Sequence, residues 1–401
     1  MFDVQLSRDE LVKVLKAVES TVGDTTGSMG EDCISITDTG NSAIEVYTTN
    51  SIEFSSVSMV ITSGSSGTIE KMPCVNFKRF KKIIESIPEG EFISIKSNVN
   101  DIEINYGTKK KPIKLMGSSV AMMAIKEPGN GLELTLDSQI VEVGLRNTCA
   151  IIKQDPKSPP AITDCMKIST NGLDVNITAL DIKYNRMFIG KYKNTNISNG
   201  DVIVEPNKLL KAFELFKMVE SDVLTIESDG NITKISGDVV TSTDVTAVSY
   251  YFRNMNGTFP NVTIPINTVN EYAIVNKDEM KSSLVRIDAI EDTNTNVGIM
   301  ELEINNDFVN VVKKSQYGII EDSFGLDNKI TKPIKNTFRT KSIVDILKRI
   351  SDNKISSTDQ NTFEMGVYIN KTNNPHYIIK EVNNGNSVFI LTAVNTQSNN
   401  P

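Results

Sequence analysis

The sequence predicts an α+β fold of three repeated domains, each with two helices packed on antiparallel sheets. Three observations carry that prediction. The chain is 401 residues long, more than one hydrophobic core usually serves. A pair of amphipathic helical stretches recurs three times in the same order, and period-two alternation fills the intervals. With 39% hydrophobic residues, each unit can bury a core of its own.

The first helix is read over residues 7–20, with Ser7 as N-cap, Glu10 at the capping-box position, and Leu11, Val14, Leu15 and Val18 at helical spacing. A second spans 76–88, capped by Asn76 and stopped by Pro88, with Phe77, Phe80, Ile83, Ile84 and Ile87 on one face. The same order returns at 137–153 and 205–219, where Pro206 suits a first turn. A third pair is read at 276–292 and 338–351, with Thr340 as the last cap. Within the pairs the starts lie at 7 and 76, 137 and 206, and 276 and 340, separations of 69, 69 and 64 residues. Such regularity points to duplication of a whole domain rather than a solenoid.

Between the helices, Ile93 and Ile95, then Ile102, Ile104 and Tyr106, flank a turn at 98–101 and read as a hairpin with one buried face. Gly-rich and Pro-rich loops at 62–67, 127–131 and 257–265 punctuate the chain. The expected domains are residues 1–127, 128–262 and 263–401. Three quasi-equivalent units suggest a pseudo-symmetric ring or arc.

No apolar run approaches the length of a membrane helix, and no signal peptide is visible, so a cytosolic protein is expected. Cys33, Cys74, Cys149 and Cys165 form no C-x-x-C pair and are read as reduced, buried thiols. The sequons at Asn176, Asn231 and Asn261 follow from an Asn-rich composition.

Charge distribution says more than the total of −8. The second helices carry Lys78, Arg79, Lys81, Lys82 and Glu85; Glu205, Lys208, Lys211, Glu214 and Lys217; and Arg339, Lys341, Asp345, Lys348 and Arg349. Their net charges are +3, +1 and +3 in an acidic chain. This segregation is expected if those helices face a polyanion while the outside repels one. Solvated helix faces would look the same singly, but not in all three units. Neither a base-reading motif nor interleaved aromatics accompany the lysines, so sequence-independent contact with duplex phosphates fits best.

No reaction chemistry stands out. His376 is the single histidine and is read in a loop at 370–377, away from any nucleophile and carboxylate. Phosphate-cradling loops and two-metal carboxylate sets are missing from the sequence. Asp292, Asn294, Asn296 and Glu303 have EF-hand-like spacing, but Val297 stands where that loop needs Gly. No catalytic residue, metal or cofactor is therefore expected.

Over its length the chain resembles the bacterial DNA sliding clamp, the beta subunit of DNA polymerase III. The resemblance rests on the helix ending IESIPEG at 84–90, on GTFPNV at 257–262, on SQYGIIEDSF at 315–324, on FRTKSIVDILKRI at 338–350 and on FILTAVN at 389–395. It implies a head-to-tail homodimer that encircles double-stranded DNA, opened by a clamp loader and tethering a replicative DNA polymerase, with no membrane partner. The residues facing DNA would be Lys78, Arg79, Lys81, Lys82, Arg146, Lys153, Lys157, Lys208, Lys211, Lys217, Lys341, Lys348 and Arg349. By the same resemblance, Ile113 and Leu115 would meet Ile290 at the dimer interface, and Lys109, Lys110 and Lys111 would face Glu321 and Asp322. A pocket for partner peptides would be built from Leu180, Asp181, Ile182, Lys183, Tyr184, Ser342, Ile343, Thr392, Ala393 and Val394. There the sequence departs from the family: Ser342 replaces an aromatic, Ala393 and Asn395 replace Pro and Arg, and 396–401 extends past the usual end. Such divergence would suit a phage-encoded member. Two other readings stay open: a structural protein of three duplicated domains, and an enzyme assembled from dispersed residues.

Overall fold

The computed structural model describes residues 2–392 apart from 24–29, 41, 63–69, 98–99, 109–110, 118–121, 123–126, 153–160, 183–185, 217–220, 239–244, 256, 262–268, 270, 290–298, 316–317, 353–360, 370–374 and 382–386. The first repeat opens with β1 (Asp3–Ser7) and α1 (Arg8–Val18), followed by β2 (Cys33–Asp38), β3 (Ala43–Thr49), β4 (Glu53–Val60), β5 (Glu70–Lys71) and β6 (Val75–Asn76). It closes with α2 (Phe77–Ser86), β7 (Phe92–Ser97), β8 (Asp101–Tyr106) and β9 (Ile113–Met116). The second contains β10 (Leu132–Asp137), α3 (Ser138–Ile151), β11 (Met166–Asp181), β12 (Arg186–Val204), α4 (Pro206–Phe216), β13 (Val223–Ser228), β14 (Ile232–Asp238) and β15 (Val245–Arg253). In the third come β16 (Ala273–Asn276), α5 (Lys277–Asp288), β17 (Ile299–Asn305), β18 (Phe308–Ser315), β19 (Gly318–Gly325) and β20 (Ile334–Arg339). It ends with α6 (Thr340–Asp352), β21 (Thr362–Ile369), β22 (Pro375–Glu381) and β23 (Ser387–Thr392).

Local chemistry starts the helices where the sequence indicates. Ser7 Oγ accepts the Glu10 N–H at 3.4 Å and Asn76 Oδ1 accepts the Arg79 N–H at 3.1 Å, each satisfying an orphan donor of the first turn. Pro206 is the first residue of α4, where its missing N–H costs nothing. One cap is corrected: Thr340 is the first helical residue, and Arg339 fills the cap position because β20 runs straight into α6. The register shows why, since Arg339 lies opposite Ile299 as Asn76 lies opposite Cys33. His376 is also corrected, from loop to strand; it sits on β22 opposite Thr392.

The sheets do not respect the repeats. The first halves of the first and second repeats each pair with the last strand of the repeat that follows. Thus β15 joins β4 in a nine-stranded sheet, and β23 joins β12 in a six-stranded one. Two four-stranded sheets remain, β1-β7-β8-β9 and β19-β18-β17-β20, with β1, β9, β19 and β20 as edges. Apolar faces turn inward: Ile93, Ile95, Ile102 and Ile104 are fully buried under α1 and α2, whose Leu11, Val14, Phe77, Phe80 and Ile84 are buried too. The helices pack as one row in the order α2, α1, α4, α3, α6, α5, so each junction between repeats is made by helices as well as strands. Cys33, Cys74 and Cys165 are buried and Cys149 half-buried, all as free thiols; burial pushes Cys33 up to about 12 and Cys149 up to about 11.

Candidate functional site

Three features of this architecture bear on function: the helix row, a cleft where the second and third repeats meet, and the strand edges at β9 and β19. On the helix row, Lys78, Arg79 and Lys82 of α2 and Arg146 of α3 are exposed, Arg146 in an ion pair with Glu142 one turn away. The first helices add Lys13 and Lys16, also exposed, which charge totals per helix had hidden because Asp9 and Glu10 cancel them. Lys348 and Arg349 are half-buried on α6. Lys81 is more committed: it pairs with Glu19 at 2.6 Å with its side chain 17% exposed.

Two expected contacts prove to be structural. Lys208 is buried, pairs with Glu205, donates to the Arg253 carbonyl at 3.1 Å and lies over the Phe252 ring. It is therefore not presented to a ligand. Lys211 reaches out of its own repeat to Glu53 on β4 at 2.5 Å, tying the second repeat to the first. Lys153, Lys157 and Lys217 lie outside the described residues, as does the side chain of Lys341.

The cleft is organised by Arg186, the first residue of β12. Its side chain is 1% exposed, donates to the Ile151 carbonyl at 2.5 Å, pairs with Asp181 at 2.7 Å and approaches Asp345 of α6 at 3.9 Å. Asp181 is thus held within the protein. Beyond it Leu180, Met187, Phe259, Ile378, Val388 and Ile390 form a satellite apolar cluster across the two repeats, and Ile182, two residues past Leu180 in sequence, is 62% exposed. Phe259 and Ile203 of this cluster also line a neighbouring cavity of about 410 Å³, together with Leu132, Lys167, Asp201 and Asn254. Ile343, expected in the pocket, is instead fully buried in the main core because α6 turns that face inward. Lys183, Tyr184, Ala393 and Val394 lie outside the described residues, as do the side chains of Ser342 and Thr392. Phe259 belongs to the GTFPNV motif, which the sequence marks as a repeat junction and a family resemblance but not as part of the pocket.

At the edges, Ile113 and Leu115 on β9 are half-buried against the core, while Lys111 and Met116 are exposed. On β19, Ile319 is 65% exposed and Ile320 packs on the core. Glu321 accepts from Asn310 at 3.0 Å. Asp322 is already bound by Arg286, whose Nε lies 3.1 Å away. Burial alone would raise that carboxyl, but the bonds from Arg286 and Ser283 outweigh it and hold it below the usual carboxylate range. Lys109, Lys110 and Ile290 lie outside the described residues. Glu303, the one described member of the EF-hand-like set, sits on β17 and pairs with Lys335 at 2.8 Å.

No family model matches the sequence, and no curated protein matches it. Solved structures do match. The beta subunit of DNA polymerase from Streptococcus pyogenes superimposes with a TM-score of 0.79 at 15% identity, covering 98% of this chain and 100% of that one. The DNA polymerase III subunit beta of Pseudomonas aeruginosa gives 0.78 at 12% identity, covering 98% and 99%. That of Thermotoga maritima gives 0.76 at 14% identity over the same shares. Over nearly its whole length, therefore, the chain has the fold of the bacterial DNA polymerase III beta subunits.

Proposed function

We propose that this protein is a sliding clamp, a non-catalytic processivity factor that closes around duplex DNA and tethers a replicative polymerase. One observation supports the reading: both internal junctions are built by pairing the last strand of one repeat with the hairpin strand of the repeat before, and among the described strands β9 and β19 are the last strand and hairpin strand left without such a partner. Applied between copies, the same pairing joins β9 to β19 and closes a head-to-tail ring with the helix row on one surface. The domains are then 1–127, 128–262 and 263–401. Exposed Lys78, Arg79, Lys82 and Arg146 supply phosphate contacts without reading sequence. Ring closure makes retention topological, so a loader is needed to open it. The apolar cluster, with exposed Ile182 two residues past its Leu180, fits a short peptide of the polymerase or loader, anchored by apolar side chains.

Light scattering in solution tests the assembly. A mass near twice 44.2 kDa is expected; a monomer at every concentration up to that of the cell would refute the closed ring.

A further inference from the structure

Beyond the clamp reading above, we propose that the junction of the first and second repeats carries a docking face of its own, on the outer side of the nine-stranded sheet, for a short basic peptide with an aromatic anchor. Corresponding positions at the two internal junctions locate it. Where Ile390 of β23 lies opposite Met187 of β12, Tyr251 of β15 lies opposite Phe54 of β4. Ile390 and Met187 belong to the apolar cluster of the second junction; at the first, the same two positions hold aromatic rings.

These rings face away from the core, since Val57, Val248 and Tyr250, on the other face of the same strands, are fully buried. Tyr47 of β3 completes the row. Its ring stacks on Phe54 with centroids 5.7 Å apart, and Phe54 meets Tyr251 edge to face at 5.4 Å. Tyr47 and Phe54 are half-buried, whereas Met187 and Ile390 are only 4% and 2% exposed, so the first junction presents apolar surface at positions that the second keeps covered. Two residues along, on the same face, Ser56, Ser249 and Ser236 lie side by side on β4, β15 and β14. Their small side chains leave a low shelf beside the rings, about 10 Å wide across three strands, which is room for one extended peptide.

Charge selects the occupant. Lys71 Nζ stands 4.8 Å from the Tyr47 centroid and Lys234 Nζ 5.7 Å from that of Tyr251, so the chain itself sets an ammonium group against each outer ring of the row. Three carboxylates stand against these two cations. Glu127 accepts the Tyr251 hydroxyl at 2.6 Å and pairs with Lys234 at 3.1 Å, Glu227 pairs with Lys234 at 3.1 Å, and Glu45 accepts from Ser56. The Glu127 side chain is 64% exposed and keeps room for a further partner. A guanidinium stacked on Phe54 and paired with Glu127 continues the pattern, and a neighbouring aromatic side chain packs on the Tyr47–Phe54 step. An acidic segment meets an excess of carboxylates instead.

The chain contains no tryptophan, so a tryptophan probe is read by its fluorescence without background. Ac-Arg-Trp-Arg-amide titrated into the full-length protein is expected to bind saturably, and Ac-Glu-Trp-Glu-amide is not. Phe54→Leu, which keeps the volume and removes the ring, is expected to weaken the basic probe about threefold. Glu127→Gln, which keeps an acceptor for Tyr251 and removes the charge, is expected to weaken it about threefold as well. Ile182→Glu, at the second junction, is expected to leave it unchanged. No saturable binding of the basic probe, equal binding of both probes, or full affinity in both Phe54→Leu and Glu127→Gln overturns the docking face. Loss of binding in Ile182→Glu moves the probe to the second junction and overturns it too. None of these results bears on ring closure, which the mass in solution reads separately.

Discussion

Replacing Arg186 by Met removes the cation that lies between Asp181 and Asp345 at the junction of the second and third repeats while keeping most of the side chain's volume. Arg186 is 1% exposed, and its loss leaves Asp181, 12% exposed, and Asp345, 26% exposed, facing each other across the junction. The Ile151 carbonyl loses its donor as well. Breaking a buried ion pair from one side costs about 3–5 kcal/mol. Partial exposure of Asp345 and its 3.9 Å distance place this case at the lower end, about 3 kcal/mol. For a cooperative unit of about 150–250 residues that is a fall in melting temperature of roughly 6–12 °C. Calorimetry on Arg186→Met, with Arg186→Lys and Asp345→Asn alongside, reads it directly. The lysine variant should recover part of the loss, since an ammonium keeps the charge but lacks the second nitrogen that approaches Asp345; Asp345→Asn should cost under about 1 kcal/mol. A midpoint within 1 °C of the parent for Arg186→Met would refute the junction argument.

Other outcomes follow from the same contacts. Lys208→Ala should destabilise the protein by about 2–3 kcal/mol, by leaving Glu205 poorly compensated, and leave binding to a short duplex unchanged in fluorescence anisotropy; lost DNA affinity with full stability would contradict this. Lys78→Ala, Arg79→Ala and Lys82→Ala combined should do the opposite, flattening the salt dependence of duplex binding while shifting stability by no more than about 0.5 kcal/mol each. Ile182→Glu should weaken binding of a polymerase-derived peptide at least tenfold with an unchanged melting temperature, as measured by titration calorimetry. Asp229 accepts N–H bonds from Ile232, Asn231 and Gly129, which hold its carboxyl below the usual 3.8. Its contribution is present above pH 3.8 and disappears as pH falls through the lower folded value, so Asp229→Asn should flatten the acid limb of the stability profile and leave the neutral region's slope unchanged.

Legibility in the sequence followed the range of the interaction. Helix starts at Ser7, Asn76 and Pro206 depend on neighbours within one turn, so sequence patterns reveal them. The Thr340 cap slipped by one because a strand register, set by Ile299 far away, decides where β20 ends. Charge counting located the basic helices but not the fate of each lysine: Lys208 and Lys211 share the helical period of solvent-facing residues, and only the strands beneath α4 show that Glu205, Phe252 and Glu53 claim them. In the cleft, Ile343 is buried in the main core and Phe259 joins the apolar cluster, a difference set by how α6 and the 257–261 segment pack rather than by local pattern. Continuous pairing across the repeats, β15 with β4 and β23 with β12, leaves no local trace in the sequence at all.

Retention on DNA tests the central claim most directly. Protein assembled on nicked circular DNA with its loader should stay bound through a high-salt wash and leave when the circle is cut once. Release from intact circles at the same rate as from linear DNA would contradict a topological clamp.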